Sequence, residues 1–129
     1  MKWRLRAVIF AAEISLFGGQ SIASPQLAQT INCGSATTTP EINQCTSRQA
    51  RLADRKLNQA YQQLRPKLSS KQMQRLTQAQ LNWIKFRDTT CEYELGEWEG
   101  GTGASSAYSS CLARVTEQRT ADLQRYLDK

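Results

Sequence analysis

Four cysteines, Cys33, Cys45, Cys91 and Cys111, constrain this 129-residue chain more than any other feature, because the chain opens like an export leader. Lys2, Arg4 and Arg6 form a basic start, Ala7 to Phe17 an apolar run, and Gly18-Gly19 a break. Ser21-Ile22-Ala23 then offers a small-x-small cleavage site, so residues 1–23 read as a signal peptide, with a second possible cut after Ala28. The apolar run of about 11 residues is too short for the roughly 20 that a membrane-spanning helix requires. No small residue directly precedes a cysteine close behind that run, so the expected product is periplasmic or secreted and is not a lipoprotein. In an oxidising compartment four cysteines predict two disulfides, with three pairings possible on paper.

The rest of the composition excludes more than it assigns. The chain has no histidine, which removes Ser-His-Asp and Cys-His catalysis and any histidine-bound zinc. The formal charge of +6 becomes +4 once the leader's three cations and Glu13 are gone. That excess does not imply nucleic acid. A length of 129 residues fits one domain without room for a large cofactor fold, and no cofactor is expected.

Apolar spacing predicts helices. After an N-terminal strap at 24–38, Thr38-Thr39-Pro40-Glu41 has the form of a helix start, with a hydroxyl cap, a first-turn proline and a carboxylate facing the free N–H groups. Ile42, Cys45, Ala50, Ala53, Leu57, Ala60, Tyr61 and Leu64 follow at steps of three to five, and Pro66 closes the run. A second helix, capped by Ser69 or Ser70, carries Met73, Leu76, Ala79, Trp83, Ile84, Phe86, Cys91 and Leu95, and continues to Gly96. A glycine-rich loop at about 96–106 leads to a third helix bearing Tyr108, Cys111, Leu112, Val115, Leu123, Tyr126 and Leu127. No segment alternates like a strand, so the expected fold is an all-α, up-down bundle of about three helices spanning 39–129.

The short first connection makes the first two helices antiparallel and brings all four cysteines to one pole. Cys33–Cys45 with Cys91–Cys111 is the preferred pairing. Cys45–Cys91 with Cys33–Cys111 is geometrically allowed as well.

Several segments together carry a resemblance. They include Cys33-x-x-Ala36-x-Thr38-x-x-Glu41-x-Asn43-x-Cys45, Ala53-Asp54-x-x-Leu57-Asn58-x-x-Tyr61-x-x-Leu64, and Ala79-Gln80-x-x-Trp83-x-x-Phe86-Arg87-Asp88-x-x-Cys91. Glu99-Gly100-Gly101 and Cys111-Leu112-x-x-Val115-Thr116-x-x-Arg119-x-x-x-Leu123 complete the set. Over about Cys33 to Leu127 the chain resembles the LprI-like lysozyme inhibitor family of small, helical, cysteine-containing exported domains. The resemblance implies a non-enzymatic binding module with lysozyme as a partner. Lysozyme inhibition is known for a lipoprotein member, whose lipid-attachment signal this sequence lacks.

Three groups of residues are candidates for function. Gln80, Trp83 and Arg87 share a helix face; with Tyr61, Asp88 and Arg119 they predict a polar network between helices whose ordinary role is to fix register. Between Glu92 and Gly103, four carboxylates accompany Tyr93 and Trp98 in a glycine-rich stretch. Tyr93, Glu97, Trp98, Glu99, Gly100 and Gly101 form the candidate binding surface, suited to the cleft of a basic enzyme such as lysozyme. These carboxylates do not follow a calcium-loop spacing, nor does anything fix two of them for glycoside chemistry, so neither a metal site nor a catalytic site is expected. Arg48, Arg51 and Arg55, with Lys56, line one side of the first helix. They support an alternative: an envelope scaffolding domain that binds another protein or an anionic wall polymer.

Overall fold

The computed structural model describes residues 31–129; the expected leader and cleavage sites lie outside them. The first helix, α1, spans Thr39–Leu64 and begins with a reciprocal cap. The Glu41 N–H donates to Thr38 Oγ1 at 3.4 Å, while the Thr38 N–H donates back to Glu41 Oε2 at 3.1 Å. Pro40 occupies the first turn, where a missing N–H costs nothing. Helix α1 passes into a single 3-10 turn at Arg65–Lys67, and Leu68 is extended. Ser69 and Gln72 then repeat the reciprocal cap at the head of α2, Ser70–Gly96. The third helix, α3, spans Ala104–Leu127 behind Gly103, with no side-chain cap.

Both α1 and α3 run antiparallel to α2, so they are parallel to each other. They are also the closest pair of helices, ahead of α2 and α3. Small buried residues explain this: Ala53 and Ala60 on α1, and Ala113, Thr116 and Thr120 on α3, let the backbones approach. The Thr120 hydroxyl remains satisfied, donating to the Thr116 carbonyl at 2.9 Å. Leu57, Ala60, Leu64 and Leu123 form one core cluster, covered by Tyr61, Leu76, Trp83 and Leu127 among others. Cys91, Cys111 and Val115 form a second, also covered by Trp83. Trp83 therefore joins the two halves of the core.

Helix α2 packs mainly on α3 and buries only a narrow stripe. Cys91 is its sole fully buried residue. Two positions expected on its inner face, Ile84 and Phe86, are 40% and 59% exposed. They lie about 100° to one side and about 60° to the other side of Trp83 around the helix. A helix resting on a close-packed pair covers less than that arc.

The disulfides are Cys33–Cys45 and Cys91–Cys111, each with Cα atoms 5.6 Å apart. The alternative pairing does not form. Each bridge closes a loop of 12 or 20 residues. In the chain-entropy picture each contributes about 3 kcal/mol.

Candidate functional site

The acidic, aromatic stretch divides between two elements. Glu92, Tyr93 and Glu94 belong to the last turns of α2, which runs through Gly96, and only residues 97–103 form the connecting loop. That loop is a chain of turns. The Trp98 N–H donates to the Leu95 carbonyl at 2.8 Å, and the Gly101 N–H to the Trp98 carbonyl at 2.8 Å. Gly100, between them, has φ of +77°, the left-handed backbone that favours glycine. The Cys91–Cys111 bridge ties the stem of this hairpin-like tip about one and a half to two turns below its ends.

Tyr93 is 78% exposed and Trp98 52% exposed. The indole does not enter the core. It lies over Gly103, where an added Cβ would sit 3.1 Å from two ring carbons. Glu97 and Glu99 are exposed, as are Gly100 and Gly101. Glu94 is paired with Arg114 of α3, whereas Glu92, Glu97 and Glu99 have no cationic partner among the described residues. A cleft of about 450 Å³ opens between the end of α2 and the start of α3, with Leu95 and Ala104 among its apolar lining and Glu92 and Glu99 as its acidic lining. Tyr93, Glu97, Trp98, Glu99, Gly100 and Gly101 thus lie at one end of the bundle, with Leu95 and Ala104 as neighbours that sequence reasoning did not single out.

The six residues expected to form one polar network make separate contacts. Arg87 pairs with Asp88 on its own helix at 2.8 Å and with Asp54 of α1 at 3.3 Å. Its guanidinium lies 5.3 Å from the Trp83 ring centroid, a cation–π distance. Arg119 Nε donates to Gln80 Oε1 at 2.6 Å, linking α3 to α2. The Tyr61 hydroxyl lies 3.3 Å from that of Thr77, linking α1 to α2. These are clamps between helices, and Asp54 and Thr77 are the partners that the sequence reading missed. Periodicity shows which face a residue takes but not which residue of a neighbouring helix stands opposite.

Two guanidiniums of the α1 arginine row are engaged within the domain. Arg48 donates to the Ile31 carbonyl at 3.4 Å and contacts Cys33 Sγ, holding the strap. Arg51 donates to Ser47 Oγ at 2.6 Å. Arg55 and Lys56 are exposed. Among the described residues no group of three or more His, Cys, Asp or Glu side chains is placed to hold a metal ion. No described helix is long and apolar enough to cross a membrane.

The bundle and its staples define a class: small all-helical domains locked by two disulfides, a construction suited to an oxidising, extracytoplasmic setting. Within that class, residues 31–123 match the family model described as "Lysozyme inhibitor LprI", and the chain belongs to that family. It is also similar to an uncharacterized protein of Rhizobium meliloti (strain 1021), 28% identical over 110 residues, which covers 75% of this chain and 79% of the relative. No solved structure matches.

Proposed function

We propose that this domain inhibits lysozyme-type muramidases by placing the 97–103 tip, with Tyr93 and Glu92 beside it, against the substrate cleft of the enzyme. The action is blockade, not chemistry. Trp98 and Tyr93 supply exposed aromatic anchors of the kind that dominate interface energies. The uncompensated carboxylates attract a basic enzyme and raise the encounter rate. The cleft beside Leu95 has room for a Lys or Arg side chain, with the aliphatic stem on Leu95 and Ala104 and the charged head near Glu92 and Glu99.

The observation that carries this reading is the half-exposed Trp98, held over Gly103 on a loop whose stem is covalently closed. A held aromatic loses less freedom on binding than a free one. Family membership supports lysozyme as the partner. The test is cell-wall lysis by c-type and g-type lysozymes with the oxidised protein added. Inhibition that saturates at a fixed stoichiometry supports the reading, and unchanged lysis at micromolar excess removes it.

A further inference from the structure

Charge along this chain is segregated. From Arg55 to Arg87 there are eight cations and no carboxylate; from Asp88 to Ala113 there are five carboxylates and no cation. The up-down fold turns that linear segregation into opposite poles. Those five carboxylates lie along the α2–α3 end. Arg65, Lys67, Lys71 and Arg75 gather at the α1–α2 end, around the 3-10 turn. With 27 residues in α2, the poles are about 40 Å apart. Screening in physiological salt acts over about 8 Å, so the two poles do not neutralise each other.

The cations of the α1–α2 pole are not tied up in ion pairs. All four are exposed, and none pairs with a carboxylate among the described residues. Lys71 lies in the first turn of α2, where the helix dipole disfavours a cation and where no acidic residue is present. Lys67 Nζ donates to the Leu127 carbonyl at 3.1 Å, which brings the end of α3 to the same pole. There Asp122 is paired with Arg125 and Asp128 is followed by Lys129, so that the excess comes from the four α1–α2 cations. Apolar side chains are interleaved with the cations: Pro66 is exposed, and Met73 is half-buried beside Arg65 in an open cleft, while Leu68 packs inward on the core.

We infer that the α1–α2 pole of this protein, Arg65, Lys67, Lys71 and Arg75 around Pro66 and Met73, docks on the headgroups of an anionic phospholipid membrane. Cations interleaved with short apolar side chains suit the interfacial layer of a bilayer, where each Lys or Arg near an anionic surface adds to binding. A purely ionic polymer would not use the apolar members. Docked in this way, the rod stands with its acidic tip about 40 Å from the surface. The docking itself does not depend on the inhibitory role proposed for that tip.

The test is co-sedimentation of the oxidised protein with vesicles of phosphatidylcholine containing phosphatidylglycerol, without lysozyme. Binding is expected to anionic vesicles and not to pure phosphatidylcholine, and to weaken as salt rises. The double variant Lys71→Glu/Arg75→Glu is expected to bind at least about tenfold more weakly. Its fold is protected, since a glutamate in the first turn of α2 is favoured by the dipole; unchanged circular dichroism checks this. Met73→Gln is expected to weaken vesicle binding while leaving binding to soluble polyphosphate unchanged. Three results would each overturn the inference: no vesicle binding, equal binding to neutral vesicles, or undiminished binding by the double variant. Binding to polyphosphate without binding to anionic vesicles would likewise overturn it.

Discussion

The indole of Trp98 rests on Gly103 so closely that a Cβ there would lie 3.1 Å from two of its ring carbons. The contact decides how an otherwise exposed aromatic is presented, because the glycine is the surface on which it lies. Gly103→Ala should lift the ring at a cost of about 1 kcal/mol and weaken lysozyme inhibition severalfold. Gly96→Ala meets nothing within 4 Å and should leave the Trp98 ring where it lies. Paired inhibition titrations and Trp fluorescence of the two variants check this.

The two disulfides should contribute similarly to stability and differently to function. Replacing either pair by Ser should lower unfolding free energy by about 3 kcal/mol, read from urea denaturation of the oxidised proteins. Only loss of Cys91–Cys111 frees the stem of the tip, so inhibition should fall further for Cys91→Ser/Cys111→Ser than for Cys33→Ser/Cys45→Ser, even where both variants remain folded.

Arg87 is the clamp between α1 and α2. Its side chain is 18% exposed, against 53% for Asp54. Arg87→Ala removes two ion pairs and the contact with Trp83, and should cost about 1–2 kcal/mol. Asp54→Asn removes one exposed pair and should cost less than about 1 kcal/mol. Urea midpoints in that order confirm the assignment; equal losses would contradict it.

Hydrogen bonds from the Thr38 and Thr37 N–H groups hold the Glu41 carboxyl below the usual carboxylate range. The folded pKa is thus lower than the unfolded one. The cap is fully effective above the unfolded value and is lost as pH falls through the folded value. Glu41→Gln should remove this part of the acid-limb loss, so the stability difference between variant and parent shrinks as pH is lowered. A difference that grows on acidification would contradict the assignment.

Much of this fold is legible because local signals agree. Thr38 with Glu41 and Ser69 with Gln72 are reciprocal caps, Pro66 stops α1, and glycines interrupt the chain after α2. The short α1–α2 connection gathers the four cysteines at one pole and leaves two pairings open, of which the preferred one forms. Lateral packing is less legible. The spacing of Ile84 and Phe86 is equally compatible with an inner face, and their exposure follows from the close approach of α1 to α3 through Ala53, Ala60 and Ala113. Likewise, the sequence places Trp98 in a loop but not on Gly103, because that contact depends on the tightness of the turn at Gly100.

The central claim is that the tip, and not another surface, blocks lysozyme. The most direct measurement compares the parent with a Glu97→Ala/Trp98→Ala/Glu99→Ala variant in a lysozyme lysis assay, alongside helical circular dichroism. The account predicts unchanged helicity and at least about a hundredfold loss of inhibition, the scale of truncating an interface's anchoring residues. Full inhibition by a folded triple variant would contradict it.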